Sequence, residues 1–195
     1  KLWISQVAVD EAHCVSMWGH DFRKSYRYIL PFVNSLRVRP VVTAFTATAT
    51  KEVRSDILNL LGLISPYTYL GSFDRENLAI SVHKEEDKAE FVKDYIRGHE
   101  DESGIIYCAT RKEVDGLYNY LKERGLSIAK NHGGLKDEEK NYYQDEFLKD
   151  NYNVMIATNA FGMGIDKSNV RYIIHFTLCK NIESYYQEIN NILNK

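Results

Sequence analysis

Asp10 and Glu11 are adjacent carboxylates that follow a short apolar run, residues 4–9, and precede Ala12 and His13. The run reads as a strand, and in open α/β sheets ligands bind at the carboxyl ends of strands. Two acids placed there can divide one task. Asp10 can hold the water shell of a Mg²⁺ ion, because that ion prefers oxygen ligands and keeps most of its waters. Glu11 can orient or deprotonate a water that attacks a terminal phosphate. The plainer alternative is that both acids begin a helix, where negative charge suits the dipole.

The next stretch, residues 16–23, is too polar and glycine-broken for a helix core, yet it carries Trp18 and Phe22 with His20 and Arg23 close by. Aromatic rings beside cations can stack on bases and contact phosphates. Inward packing beneath a loop is the competing reading. Thr46, Thr48 and Thr50 are small hydroxyl residues that either pass a signal between a phosphate site and a neighbouring loop or cap the next helix.

Further along, Thr158 ends a strand and is followed by Gly162, Gly164 and Asp166. Two glycines spaced by one residue let backbone approach a ligand closely. Thr158 can reach a phosphate, and Asp166 can accept a ribose hydroxyl or hold its own loop. Such a glycine pair is weak as a signal by itself. Arg111 follows another strand and, with helix-start amides, would present a guanidinium to a phosphate backbone. A normal capping box, Thr110 with Glu113, explains the same letters. His132 and His175 have no second ligand at helical or loop spacing and read as core or surface histidines rather than metal ligands. The acidic residues 137–139 read as a solvated helix start.

These residues need strands and helices to hold them, and the chain supplies both in alternation. Strands are expected at residues 4–9 and 41–45, with helices at 26–36 and 51–61, the second capped by Thr50 and stopped by Gly62. Residues 66–78 read as a connection, and residues 78–82 open a second series. There the pattern predicts helices at 88–97, 110–124 and 137–148, and strands at 104–108, 127–130, 153–157 and 170–176. The alternation implies an α/β fold, with parallel sheets covered by helices on both faces. The organisation expected is 1–65, 66–78 and 79–195, and the first part has too few strands for a full sheet.

The chain has 195 residues, 44% of them apolar and 27% charged, the balance of a water-soluble globular protein. No apolar run reaches membrane-spanning length, so no membrane partner is expected. Cys14, Cys108 and Cys179 are far apart and odd in number, which implies reduced thiols in a cytoplasmic protein. The net charge of −2 leaves room for a local basic groove only.

Taken in order, these segments resemble the RecQ family of superfamily 2 DNA helicases. Residues 8–14 resemble the family's magnesium and water-activating box, and residues 18–23 resemble the aromatic-rich loop particular to RecQ enzymes. Thr46 to Thr50 match the motif after it, and residues 72–78 match the lobe connection. Residues 103–108 and 160–165 match two motifs of the second lobe, and Tyr185, Tyr186, Gln187 and Glu188 match the approach to the last one.

The resemblance implies the latter part of one RecA-like lobe and a nearly complete second RecA-like lobe. It implies ATP and Mg²⁺ as cofactors, with Asp10 holding Mg²⁺ through water, Glu11 as general base and His13 linking the nucleotide site to neighbouring motifs. Gly162, Gly164 and Asp166 would belong to the nucleotide side. Trp18, His20, Phe22, Arg23, Arg111 and Thr158 would meet DNA, single-stranded or partly duplex. Translocation would run 3′ to 5′ in recombination and repair, in a monomer associated with the nucleoid if bacterial, with other repair proteins as further partners. An RNA helicase of the DEAH type is disfavoured by the Trp18 loop.

Some residues depart from the family pattern. Asn191 and Asn194 stand where two arginines are expected, and asparagine cannot supply charge to a transferring phosphoryl group. Lys24, the pair Ser168 and Asn169, and Cys179 are smaller departures, Cys179 standing in place of a proline. The 195 residues contain no glycine-rich loop ending in Lys-Ser/Thr. The expectation is a fragment that does not hydrolyse ATP alone. The alternative is a non-catalytic DNA- or partner-binding module that retains the helicase fold.

Overall fold

The computed structural model describes residues 3–18, 22–47, 49–71, 77–84, 87–158, 161, 165, 167–179 and 182–190. It divides the chain into two compact units, Lys1–Ile80 and Ser81–Lys195.

In the first unit, β1 (Gln6–Val9) and β2 (Val41–Ala44) pair in parallel, with Gln6 opposite Val41 and Val9 opposite Ala44. A short 3-10 turn, Ala12–Val15, follows β1. The run expected as one helix over residues 26–36 is divided into a 3-10 turn, Lys24–Tyr28, and α1 (Ile29–Ser35). Pro31 explains the break: it has no N–H to give to a preceding turn, and it is tolerated only in the first turn of α1.

The helix α2 (Lys51–Leu60) begins where Thr50 accepts the Val53 amide. It stops at Gly62, whose φ of 59° lies in the left-handed region that glycine enters without strain. Val53, Ile57 and Leu61 share one face of the helix and pack on Val9, Ala12 and Val15. The core of this unit therefore lies directly under the turn that follows β1.

Residues 78–82 form no strand. Ile80 and Val82 are 70% and 80% exposed, so a β-branched run without a partner strand stays irregular.

The second unit opens with α3 (Lys88–Gly98), where the Asp87 carboxylate accepts the Ala89 and Glu90 amides. Then come β3 (Ser103–Cys108), α4 (Arg111–Glu123), β4 (Ile128–Asn131), α5 (Asp137–Leu148), β5 (Val154–Thr158), β6 (Val170–His175) and α6 (Ile182–Asn190). The four strands are parallel and lie in the order β4-β5-β3-β6. All four carboxyl ends therefore open on one edge.

Every residue of β3 is buried, as a central strand covered on both faces requires. Ile106 and Cys108 face α3 and α4 through Val92, Ile96, Val114, Leu117 and Leu121. Ile105 and Tyr107 belong to the opposite core with Phe147 of α5, Met155 and Phe161. Phe147 is fully buried, and its ring meets Phe161 edge-on at 6.2 Å. Burial of such a ring contributes about 2–3 kcal/mol. Gly104 in the middle of this core is explained by Tyr172, whose ring occupies the space a Cβ would need.

Candidate functional site

In the first unit, the parallel pairing of β1 and β2 brings together the residues just past each strand. Ala12 donates to the Phe45 carbonyl at 2.8 Å, and Phe45 donates to the Val9 carbonyl at 2.8 Å. Asp10 is exposed, and its Oδ1 accepts the Glu11 amide at 2.8 Å. The Tyr26 hydroxyl donates to the Asp10 carbonyl at 3.2 Å.

Glu11 adopts φ 47° and ψ 45°, a left-handed conformation that L residues other than Asn, Asp and Gly rarely hold. This turn ends the strand sharply and starts the 3-10 turn carrying His13. The His13 side chain is buried. Its Nδ1 lies 2.9 Å from Thr46 Oγ1 and 3.2 Å from Glu11 Oε2, and its Nε2 lies 3.7 Å from Cys14 Sγ. One imidazole thus joins the acid after β1 to the hydroxyl after β2. Among the predicted residues, Asp10, Glu11, His13 and Thr46 gather at this strand end.

Past His13, the chain is anchored and then released. Ser16 is fully buried and donates to Asp56 Oδ2 of α2 at 2.6 Å, while the same Ser16 oxygen accepts the Trp18 amide at 3.1 Å. Trp18 beyond it is 80% exposed, so it is not packed under the loop. Arg23 is exposed and its amide donates to the Cys14 carbonyl at 2.9 Å. Phe22 is half-buried, with the Arg27 guanidinium 5.2 Å from its ring centre. His20 lies outside the described residues.

In the second unit, the predicted residues stand along the carboxyl edge of the sheet. Thr158 closes β5, opposite Cys108 at the end of β3, and its carbonyl accepts the Phe161 amide at 2.9 Å. Thr110 and Glu113 form the expected capping box at the start of α4. Glu113 also accepts the Thr177 hydroxyl at 3.1 Å, which ties the segment after β6 to the same helix start.

Arg111 is exposed and lies over the turn after β4. A Cβ at Gly133 would meet its Nη2 at 3.2 Å, and one at Gly134 would meet its Cδ at the same distance. The two glycines leave room for the arginine to lie close over this turn. Gly162, Gly164 and Asp166 fall outside the described residues. Lys167 just beyond them is buried, its ammonium bonded to Asp150 and 4.8 Å from the Phe147 ring centre. The hydrogen bond from Lys167, with a second from Asn169, holds the Asp150 carboxyl below the usual carboxylate range.

The helicase conserved C-terminal domain family matches residues 87–192. The chain belongs to this helicase family. It is 49% identical over 182 residues to the ATP-dependent DNA helicase RecQ of Bacillus subtilis (strain 168), covering 93% of this chain and 31% of that protein. It is 41% identical to the RecQ-like DNA helicase BLM of Xenopus laevis, covering 95% of this chain and 14% of that protein. The chain thus spans less than a third of the length of these relatives.

A solved structure of a Dbp5 variant from S. cerevisiae, bound to RNA and ADP BeF3, aligns with a TM-score of 0.78 at 21% identity, over 97% of this chain and 50% of that one. The likeness shows the fold, a parallel sheet flanked by helices as in RecA-like helicase lobes. The RecQ relatives cover 93% and 95% of this chain, so the resemblance seen in the motifs extends along nearly its whole length.

Two histidines of this helicase segment are not isolated, contrary to the expectation from spacing. His132 Nε2 lies 3.2 Å from Asp115 Oδ1, its Nδ1 accepts the Gly134 amide at 3.0 Å, and Lys130 donates to Asp115 at 2.6 Å. The Lys130 hydrogen bond, then that of His132, lowers the Asp115 carboxyl. His175 Nε2 lies 2.9 Å from Glu188 Oε2, and the same oxygen accepts the Cys179 thiol at 3.2 Å. Burial and then the Glu188 carboxylate push that thiol up to about 12. Asp115 and Glu188 are 17 and 13 residues away from their histidines, beyond any local spacing rule. The local signals were the two glycines after His132 and Cys179 four residues after His175. No helix among the described residues is long and apolar enough to cross a membrane.

Proposed function

We propose that these residues are motor parts of an ATP-dependent DNA helicase of RecQ type, which couples ATP hydrolysis to movement along single-stranded DNA and to unwinding. In this reading residues 1–65 are the latter part of one RecA-like lobe, residues 66–78 the connection and residues 79–195 the second lobe. The observation that carries it is the chain Glu11–His13–Thr46 at a strand end, with the exposed Trp18 only five residues beyond His13.

Glu11 orients the attacking water and accepts its proton, and His13 holds that carboxylate against the neighbouring Thr46 loop. The exposed Asp10 carboxylate is a hard oxygen donor, the kind Mg²⁺ takes through its waters. When bound, that ion neutralises charge on phosphate oxygens. Trp18, His20, Phe22 and Arg23 stack on and contact a DNA strand. Their attachment through Ser16 and Cys14 to the segment carrying His13 gives DNA a route to the hydrolytic residues. Thr158 and Arg111 contact the DNA backbone, and Gly162, Gly164 and Asp166 serve the nucleotide. The protein acts as a soluble monomer in DNA repair or recombination.

The test uses the intact protein encoded around this segment. Glu11→Gln is expected to lower DNA-stimulated ATP hydrolysis by roughly 10²–10⁴-fold while DNA binding is kept. Unchanged hydrolysis in that variant overturns Glu11 as the base, and absence of DNA-stimulated hydrolysis in the wild-type protein favours a binding module instead. Competition of single-stranded DNA against RNA separates a DNA motor from an RNA motor.

A further inference from the structure

We propose that His175, Cys179 and Glu188 form a zinc site that fastens the segment after β6 to α6. The three side chains offer one nitrogen, one sulfur and one oxygen, all within 4.8 Å of one another. Glu188 is buried, and His175 and Cys179 are half-buried. His175 Nε2 is sealed from solvent and makes no hydrogen bond, although Glu188 Oε2 is 2.9 Å away, because the approach lacks hydrogen-bond geometry. A buried ring nitrogen beside a carboxylate but outside hydrogen-bond geometry is poorly satisfied, and a cation bound by both satisfies it.

The donor set selects the ion. Zn²⁺ takes thiolate, imidazole and carboxylate together, whereas Mg²⁺ and Ca²⁺ keep to oxygen. One thiolate and one carboxylate balance its two charges. A tetrahedral ion with bonds of about 2.0–2.3 Å needs its ligand atoms roughly 3.3–3.6 Å apart. The observed 2.9 Å between N and O and 3.2 Å between S and O open by a few tenths of an ångström to reach that, while the nitrogen and sulfur, within 4.8 Å of each other, draw together by rotation of the two side chains. Three protein ligands leave the fourth position to water. The rings of Tyr107 and Tyr185, centred 5.8 and 5.0 Å from that of His175, limit how the imidazole can turn. Cys179 decides the ion, because its sulfur is the donor that separates zinc from oxygen-binding cations. The site stands or falls independently of the helicase reading.

Co²⁺ titrated into the full chain under reducing conditions tests this, since a thiolate ligand gives a charge-transfer band in the near ultraviolet. The expected result is a band that saturates at one equivalent, disappears on adding Zn²⁺, and is lost in Cys179→Ser and in Cys179→Pro. Glu188→Gln is expected to weaken binding by about 10-fold or more. No band, or a band retained in Cys179→Ser and therefore due to Cys14 or Cys108, overturns the proposal. Circular dichroism of Cys179→Ser confirms that the lost band is not lost folding. A rise in melting temperature with Zn²⁺ for the wild-type chain and none for Cys179→Ser is the second readout.

Discussion

Thr46 Oγ1 lies 2.9 Å from His13 Nδ1, across 33 residues of sequence. The contact exists because β1 and β2 pair in parallel and both segments leave the sheet on the same side. His13 also reaches a carboxylate, Glu11 Oε2, at 3.2 Å. A neutral hydrogen bond of this kind contributes about 0.5–1.5 kcal/mol, which is up to roughly tenfold in an equilibrium or a rate. In the intact protein, His13→Ala is expected to lower DNA-stimulated ATP hydrolysis about tenfold, with a smaller loss in Thr46→Ala and near-normal rates in Thr46→Ser. Steady-state hydrolysis with and without single-stranded DNA checks this. Equal loss in Thr46→Ser and Thr46→Ala would remove the hydroxyl from the argument.

Trp18 is 80% exposed, so its removal takes little from the folded core. Trp18→Ala is expected to change stability by no more than about 0.5 kcal/mol. Loss of one base-stacking ring weakens single-stranded DNA binding by about 1–3 kcal/mol. Thermal melting and fluorescence anisotropy, measured on the same preparation, separate the two effects. A large drop in melting temperature would assign Trp18 to the core instead.

Asp150 accepts hydrogen bonds from Lys167 and Asn169, and Lys167 is buried. Asp150→Ala leaves that ammonium without its partner and is expected to cost about 1–3 kcal/mol. Asp150→Asn keeps an acceptor and a residue at ease with its φ of 61°, so it costs less. The folded-state carboxyl is held below its ordinary value. Its contribution is therefore complete above the unfolded carboxylate value, about 3.9, and is lost as pH falls through the folded value. Melting temperature measured from neutral pH down into the acid range should fall more steeply for the wild type than for Asp150→Asn.

Gly104→Ala places a methyl group against the Tyr172 ring inside the central strand. The expected cost is about 1–3 kcal/mol, read by denaturant unfolding. Tyr172→Phe at wild-type Gly104 is a useful companion, since the Tyr172 hydroxyl is buried without a hydrogen-bond partner. That variant should be neutral or stabilising, because it removes an unsatisfied polar group.

The elements that local chemistry punctuates were legible in the sequence. Thr50 and Gly62 mark α2, and Thr110 with Glu113 marks α4. The helix of residues 137–148 has the expected bounds even though only Phe147 is buried, because its first turn carries three acids. Residues 78–82, where the second series was expected to open, form no regular element. The split before α1 came from Pro31, whose backbone cost outweighs the helical spacing around it. At the candidate site, Asp10 and Glu11 were legible because a strand end and two acids are adjacent letters. The meeting of His13 with Thr46, and of His175 with Glu188, depends on which strands pair and which helix returns, and spacing carries neither.

The left-handed backbone at Glu11 sets folding and chemistry against each other at a single position. Glycine would relax there most easily, Asn and Asp come next, and Val, Ile and Thr are the worst fits. The residues that relax the backbone best there, glycine and then asparagine, cannot take a proton from water. Under the role proposed for Glu11, a glycine at that spot would ease the fold and end turnover in one step.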